Sequence, residues 1–226
     1  MIILAKNNKQ VLVRRLNYDD FDKLVGYLGK LSPETVSRFG PHGFDKKSIL
    51  NLYEHCDRHK GYIAQDTETS EIIAYSIIKI GCLEHDGSRL QSYGINPDNN
   101  TDCTFAPSVA DNWQSLGIGS SLFNFMLLDL KARRFKRIIL WGGVQSNNTR
   151  AVNYYIKNGF RKLGEFQHNG PNYDMVLELN PCLKPAPKMS AESNLTWQIS
   201  TFYHFGFSAA SAVIPAWPDY WMFSQQ

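Results

Sequence analysis

The stretch WQSLGIGSSLF, residues 113–123, places two glycines, Gly117 and Gly119, at the start of a predicted helix. Glycine destabilises a helix interior, because its backbone loses more freedom on folding than that of any other residue. Its presence here therefore indicates a tight turn or the close approach of another group to the backbone. A helix that begins after a strand and a glycine-rich loop also directs free backbone amides at one point, which favours a bound anion.

Two nucleotide-binding motifs do not fit this stretch. A dinucleotide-binding fingerprint requires a third glycine, and Leu122 stands at that position. A phosphate-binding P-loop requires the sequence Gly-Lys-Ser/Thr, which does not occur in this chain. Two interpretations stay open for the loop: a site for an anion, and a tight strand-to-helix turn without a ligand.

The hydrophobic pattern around this loop alternates between strand and helix periodicity. We predict strands at 9–16, 61–66, 71–82, 101–110 and 136–144, and a strand pair within 160–180. We predict helices at 17–31, 32–40, 45–57, about 117–133 and 148–159. Residues 84–101 are polar and rich in turn formers, and we predict a long loop there. Pro107, inside a predicted strand, indicates an edge, a bulge or a splayed strand.

Two motifs in fixed order carry a resemblance to a known family. Residues Gln114–Gly119 fit Q/R-x-x-G-x-G, and NTRAVNYYIKNGF, residues 148–160, fits N-x-x-A-x-x-x-Y-x-x-x-G-F. From residue 11 to about 180, the chain resembles the GNAT superfamily of acyl-CoA-dependent N-acetyltransferases. Residues 108–123 are most similar to members with a V-x-D-x-W-Q-G-x-G-x-G signature, which include some protein-lysine acetyltransferases. Ser115 stands where that signature has a glycine.

The resemblance implies an α/β (α+β) fold with a mixed central β-sheet flanked by helices. We predict one GNAT-like domain at 1–180, followed by a linker at 181–194 that is rich in proline and lysine. Residues 195–226 form an aromatic-rich C-terminal extension, for which we predict packing on the domain or on a partner chain. A homodimer formed through this extension is one possibility.

The resemblance also implies acetyl-CoA as the acyl donor, bound at the glycine-rich loop. Backbone amides from Gln114 to Ser120 would hold its pyrophosphate. The edge of the preceding strand would pair with the pantetheine arm. Asn148 would contact that arm or cap its own helix. The predicted cofactor-binding residues are Ser108, Val109, Gln114, Ser115, Leu116, Gly117, Ile118, Gly119, Ser120, Asn148 and Tyr155.

The catalytic groups follow from the same resemblance. Tyr155 stands where this family often has a tyrosine near the thioester sulfur, and would act as the general acid; a packed core tyrosine is the alternative. Related sequences often have a glutamate as base at the position of Thr104, which cannot serve as one. Asp102 is our candidate base, and the alternatives are Glu84, His85 and Asp86, a water chain, or an amine that arrives already neutral.

The predicted reaction is direct attack by a primary amine, from a small molecule or a lysine side chain, on acetyl-CoA in a ternary complex. A strand amide near Val109 would stabilise the oxyanion. Arg38, His42 and Trp141 are candidates for lining the acceptor site, and the acceptor itself is left open. The alternative function is a non-catalytic acyl-CoA-binding regulatory module, which Thr104 favours.

Composition and charge support a globular protein of this class. The net charge of the 226 residues is only +3, and the basic run KARRFKR, residues 131–137, is typical of a solvated helix end, so we expect no nucleic-acid partner. Four scattered cysteines without a CxxC pair predict a reduced, cytoplasmic protein without a metal site. We expect no membrane insertion, because polar residues interrupt the apolar stretch at 195–217.

Overall fold

The computed structural model describes residues 1–54 and 57–179, and within them the chain forms a mixed sheet flanked by helices. The strand order is β1-β2-β3-β4-β5-β6-β9-β7, with β8 paired to the other edge of β9. All pairs are antiparallel except β5 and β6, which are parallel. The predicted α/β (α+β) class is therefore confirmed. The linker and the C-terminal extension lie outside the described residues.

The strands of the sheet are β1 (Ile2–Leu4), β2 (Gln10–Arg15), β3 (His59–Asp66), β4 (Ile72–Ile80), β5 (Asp102–Val109), β6 (Arg137–Leu140), β7 (Val144–Gln145), β8 (Arg161–Gln167) and β9 (Pro171–Glu178). The α-helices are α1 (Phe21–Leu28), α2 (Pro33–Arg38), α3 (Lys46–Glu54), α4 (Gly87–Ser92), α5 (Ile118–Ala132) and α6 (Thr149–Lys157).

Two hydrophobic cores cover the two faces of the sheet. On one face, α5 and α6 pack against the strands through fully buried side chains such as Leu122, Phe123 and Tyr62. On the other face, α1 and α3 contribute Leu24 and Ile49 to a second core. Because side chains alternate along a strand, each central strand supplies residues to both cores, which explains the continuous burial of β4.

The parallel strands β5 and β6 diverge, and this divergence creates the space for a site. Their pairing runs from Asp102 opposite Arg137 to Phe105 opposite Leu140, and one further bond joins Trp141 N–H to the Phe105 carbonyl at 3.0 Å. Beyond that point β5 continues to Val109 while pairing only with β4. Pro107 lies in this one-sided segment, as expected for a residue without an N–H donor.

The structure differs from the sequence predictions at three places. The predicted loop 84–101 contains a short 3-10 turn, Glu84–Asp86, followed by α4. Tertiary burial explains the helix, because Leu90 is fully buried against Ile139 and Val176. The strand predicted at 136–144 is interrupted, because two glycines after Trp141 adopt positive φ and separate β6 from β7. The short strand β1 was not predicted.

Candidate active site

A cavity of about 880 Å³ opens between the diverging strands β5 and β6. Its lining includes Phe105–Val109 of β5, the loop that follows it, the N-terminal part of α5 and much of α6. The 3-10 turn before α4 and the β8–β9 hairpin border the same cavity. This volume is within the range of sites that enclose a small organic ligand.

The unpaired edge of β5 presents backbone groups to the cavity. Ala110 N–H donates to the Ile73 carbonyl at 2.9 Å, which makes residues 110 and 108 the ones that bond to β4. Because bonding alternates along an antiparallel pair, the N–H of Val109 and the carbonyl of Pro107 point the other way, toward the gap left by β6. The side chain of Ser108 is turned toward α1 instead, where its hydroxyl accepts a bond from Tyr27 at 3.0 Å.

The glycine-rich loop forms the N-terminus of α5 at one end of the cavity. Gly117 is the residue before the helix and has φ +90°, a conformation that side chains with a Cβ rarely adopt. Gly119 lies in the first turn, against Val109 and Tyr154. Gln114, Ser115, Gly117, Gly119 and Ser120 all border the cavity. Free amides at such a helix start form a favourable place for an anion.

Two predicted loop residues lie outside the cavity lining. Ile118 is buried in the core, and only 1% of its surface is exposed. Leu116 packs against the same core, and its carbonyl accepts a bond from Lys6 N–H at 3.2 Å. Their side chains therefore anchor the loop to the core, while the residues between and after them border the cavity.

Side chains from three parts of the chain hold this loop. Gln114 Nε2 donates to the Val109 carbonyl at 3.2 Å, and Gln114 Oε1 accepts a bond from Arg150 of α6. Asp111 accepts bonds from the backbone and hydroxyl of Ser32 at 3.1 and 2.9 Å, and from the Thr35 hydroxyl at 2.8 Å. The loop is thus tied to α2 and to α6, which preorganises its amides.

Ser115 adopts φ +63°, at the position where similar sequences have glycine. A Cβ in this left-handed region costs roughly 1–2 kcal/mol, of which the larger unfolded-state entropy of glycine offsets a part. We therefore expect Ser115→Gly to raise the free energy of unfolding by about 0.5–1 kcal/mol, as measured by urea denaturation. The matched variant Gly117→Ala, at φ +90°, should lower it by about 1–2 kcal/mol. A destabilised Ser115→Gly protein would contradict the assignment of strain.

Helix α6 brings Asn148 and Tyr155 to the cavity. Asn148 precedes the helix, and its side-chain oxygen accepts a bond from Ala151 N–H at 3.2 Å, so it caps α6 while bordering the cavity. Tyr154 also borders the cavity, but its hydroxyl donates to the Gly119 carbonyl at 3.1 Å, at the start of α5. The hydroxyls of the two neighbouring tyrosines therefore lie in different surroundings, because adjacent residues of a helix point in different directions around its axis.

The hydroxyl of Tyr155 has no hydrogen-bonding partner among residues 1–54 and 57–179, although only 8% of the residue is exposed. Burial raises the pKa of Tyr155 above its usual value near 10. A phenol is already protonated at neutral pH, and burial reinforces this state, which is the one that a proton donor requires. A buried, protonated hydroxyl at the cavity is compatible with the predicted acid.

Of the three predicted acceptor-site residues, Arg38 and Trp141 border the cavity. Arg38 pairs with Glu34 at 2.5 Å. His42 does not border it. Its Nδ1 bonds to the Gly43 carbonyl at 2.7 Å and its Nε2 to the Tyr75 hydroxyl at 3.1 Å, in the second core. Burial lowers the pKa of His42, so the geometry favours a structural role for this residue.

The predicted base, Asp102, is fully buried and lies outside the cavity lining. Arg137 Nε donates to Asp102 Oδ1 at 2.9 Å, and its Nη2 lies 2.8 Å from Oδ2, to which Asp98 N–H also donates at 2.8 Å. Both carboxylate oxygens are therefore occupied at the start of β5. Thr104 is likewise fully buried, and its hydroxyl donates to the Lys79 carbonyl at 3.4 Å.

The model of the acetyltransferase (GNAT) family matches residues 5–160, which is more than half of the chain. This protein belongs to the GNAT family. The acyl donor of the family is acetyl-CoA, and the unpaired β5 edge and loop amides fit such a donor. No functionally curated protein matches the sequence significantly.

Solved structures with this fold confirm the architecture of the GNAT domain. The GNAT domain of S. lividans PAT superimposes with a TM-score of 0.62 at 17% identity, over 79% of this chain and 96% of that one. A GNAT-family acetyltransferase from Streptococcus pneumoniae gives 0.55 at 18% identity, over 75% and 99%. The protein yncA from Salmonella typhimurium, solved with acetyl-CoA, gives 0.58 at 13% identity, over 78% and 98%.

Several residues at the cavity were not found by sequence reasoning. Lys6 and Arg150 lie beside the glycine-rich loop, and both border the cavity. Arg150 lies inside the second motif, two residues after Asn148, which is a signal that could have identified it. Lys6 carries no local signal, because it reaches the loop from the turn between β1 and β2.

Among the helices that the structure describes, none is both long and apolar enough to cross a membrane.

Proposed function

We propose that this GNAT domain transfers the acetyl group of acetyl-CoA to a primary amine by direct attack in a ternary complex. The observation that carries the proposal is the convergence of the unpaired β5 edge, the amides before α5 and the Tyr155 hydroxyl on one cavity. When bound, acetyl-CoA supplies an acetyl group activated as a thioester. The proposal rests on what the residues around that cavity can donate and accept.

Each group has a distinct part in this mechanism. The amides between Gln114 and Ser120 hold the pyrophosphate, with Lys6 and Arg150 adding positive charge. Val109 N–H donates to the thioester oxygen as that oxygen gains negative charge. As the C–N bond forms and the C–S bond breaks, the amine nitrogen releases its proton to water, and Tyr155 gives its hydroxyl proton to the departing sulfur and is reprotonated from solvent.

Acetyl-CoA binding can be tested by thermal shift and calorimetry. A ligand at about one hundred times its Kd stabilises the folded state by about 2.7 kcal/mol, so we expect a clear rise in Tm. Arg150→Ala should weaken acetyl-CoA binding about tenfold, because a charge-assisted bond near the phosphates is lost. Arg161→Ala is the matched control, since Arg161 is an exposed arginine of β8 that pairs with Glu178. Equal affinities of the two variants would exclude Arg150 from the phosphate site.

A second candidate function is a non-catalytic acyl-CoA-binding regulatory module. The buried threonine at position 104, in place of a carboxylate, favours it. Thiol release measured with a panel of amines separates the two functions, because only the enzyme releases CoA in proportion to an amine. Binding of acetyl-CoA without turnover of any amine would support the module. Stabilisation by a dinucleotide instead of acetyl-CoA would overturn both.

The proposal also covers the cellular location of the protein, its domain boundary and its oligomeric state. Cys82 and Cys103 are free thiols, and the four cysteines of the sequence are scattered, which is typical of a cytoplasmic protein. We place the domain boundary near residue 180. Homodimer formation through residues 195–226 remains a prediction, which analytical ultracentrifugation of the full chain would test.

A further inference from the structure

A buried carboxylate borders the cavity at the turn between β4 and β5. Asp86 ends the 3-10 turn Glu84–Asp86, and only 1% of the residue is exposed. Its Oδ1 accepts a bond from Arg89 Nη2 at 2.6 Å. Its Oδ2 is buried and has no hydrogen-bond partner within the described part of the chain. An oxygen of this kind is costly to bury unless a hydrogen-bond donor satisfies it.

The charges around Asp86 do not balance. Arg89 donates from Nε and Nη2 to both oxygens of Asp174, at 2.6 and 3.1 Å, so one guanidinium serves two buried carboxylates. His85 is largely exposed, and its Nε2 lies 3.5 Å from Oδ1 of Asp86, not from Oδ2. One negative charge is therefore left without a partner within residues 1–54 and 57–179, and a cation would satisfy it.

An anionic ligand does not fit this end of the cavity. The guanidinium of Arg89 is occupied by the two carboxylates and stacks on Phe166 at 3.7 Å. Arg38, the other arginine that borders the acceptor side, pairs with Glu34. By contrast, Lys6 and Arg150 lie beside the glycine-rich loop. The cavity lining thus includes Lys6 and Arg150 at the glycine-rich loop and, from a different part of the chain, a carboxylate with one unmatched oxygen.

We propose that the acceptor carries a second cationic group, in addition to the amine that is acetylated, and that Asp86 Oδ2 binds this group. The reacting nitrogen must be uncharged when it attacks, whereas an unmatched buried carboxylate requires a partner that stays charged. A short diamine is the simplest acceptor with both features. This inference rests on the proposed function, and it defines the class of its substrate.

A comparison of two acceptors with the same four-carbon chain tests the inference. With 1,4-diaminobutane and n-butylamine as probes, we expect the native enzyme to show a kcat/KM at least about tenfold higher for the diamine. Asp86→Asn should reduce this preference to nearly one, mainly by raising the KM of the diamine. Glu84→Gln is the matched control, because it removes the same charge from an exposed position of the same turn, outside the cavity lining. It should retain the preference.

A second measurement separates this inference from the proposed function. Calorimetry with CoA present reports diamine binding without turnover. Binding that depends on Asp86, but without acetyl transfer, would keep the inference and overturn the enzymatic function. Turnover without a preference for the diamine would keep the enzymatic function and overturn the inference. A loss of kcat that is equal for both amines would show that Asp86 accepts a proton, and would also overturn the inference.

Circular dichroism checks that each variant is folded, and a second variant provides a further control. Asp86→Glu keeps the negative charge on a longer side chain, so we expect it to retain most of the preference for the diamine. If Asp86→Asn does not fold, the preference of the native enzyme and of Asp86→Glu decides the question. Absence of that preference in the native enzyme overturns the inference without any variant.

Discussion

Tyr155→Phe is expected to lower kcat about 100-fold, because positioned proton transfer contributes roughly 10²–10⁴ to the rate of such reactions. The Kd for acetyl-CoA should change less than about twofold, since the phenyl ring that packs against Phe160 is retained. Thiol release gives kcat, and calorimetry gives the Kd. The hydroxyl has no described partner, so its removal leaves no protein group unsatisfied.

Tyr154→Phe is the matched control for this experiment. Its hydroxyl donates to the Gly119 carbonyl, so its loss should weaken the loop and reduce stability by about 1 kcal/mol. We expect kcat to change little in this variant. If Tyr155→Phe retained the native kcat, Tyr155 would be a packing residue, and the departing sulfur would take its proton from solvent.

Asp102→Asn is expected to lower the free energy of unfolding by about 3–5 kcal/mol. The substitution leaves the Arg137 guanidinium without its charged partner in a site where Asp102 has no exposed surface. Urea denaturation measures the effect. Glu178→Gln provides the control, because its pair with Arg161 at 3.6 Å is partly exposed and should contribute less than about 1 kcal/mol.

This experiment also separates two roles for Asp102. If Asp102 were the base, Asp102→Asn would lose kcat while retaining native stability. We expect Asp102→Asn to lose stability but to retain kcat in conditions where it stays folded, because neither carboxylate oxygen has access to the cavity. Loss of kcat in a fully stable protein would contradict the geometry and restore the sequence prediction.

The loop and its helix could be predicted from sequence because their signals are local. Gly117 is required by a positive φ at the residue before α5, and the spacing of Gln114 and Gly119 is part of the same turn. Asn148 and Tyr155 lie on one helix, so their separation along the sequence fixes their relative position. The strands could be predicted for a similar reason, since alternation and apolar runs report burial directly.

The acidic residues could not be assigned in this way. Asp86 lies in the polar stretch after β4 and Asp102 begins the next strand, and neither position shows which charged partner meets the carboxylate. Their roles depend on partners that are distant in sequence. Arg137 comes from β6 and closes around Asp102, whereas Arg89 is held by Asp174 of β9 and leaves one oxygen of Asp86 without a partner.

The sequence by itself therefore determined the family, through motifs that lie at short range along the chain, and the resemblance predicted the mixed sheet and the loop as the place for an acyl donor. Only the tertiary structure decided that Asp86 and not Asp102 borders the cavity, that His42 bonds to Tyr75 of a core, and that Lys6 reaches the loop. The physical reason is that charge pairing and burial are properties of the folded surroundings, in which β6 and β9 bring arginine and aspartate to residues far away in sequence.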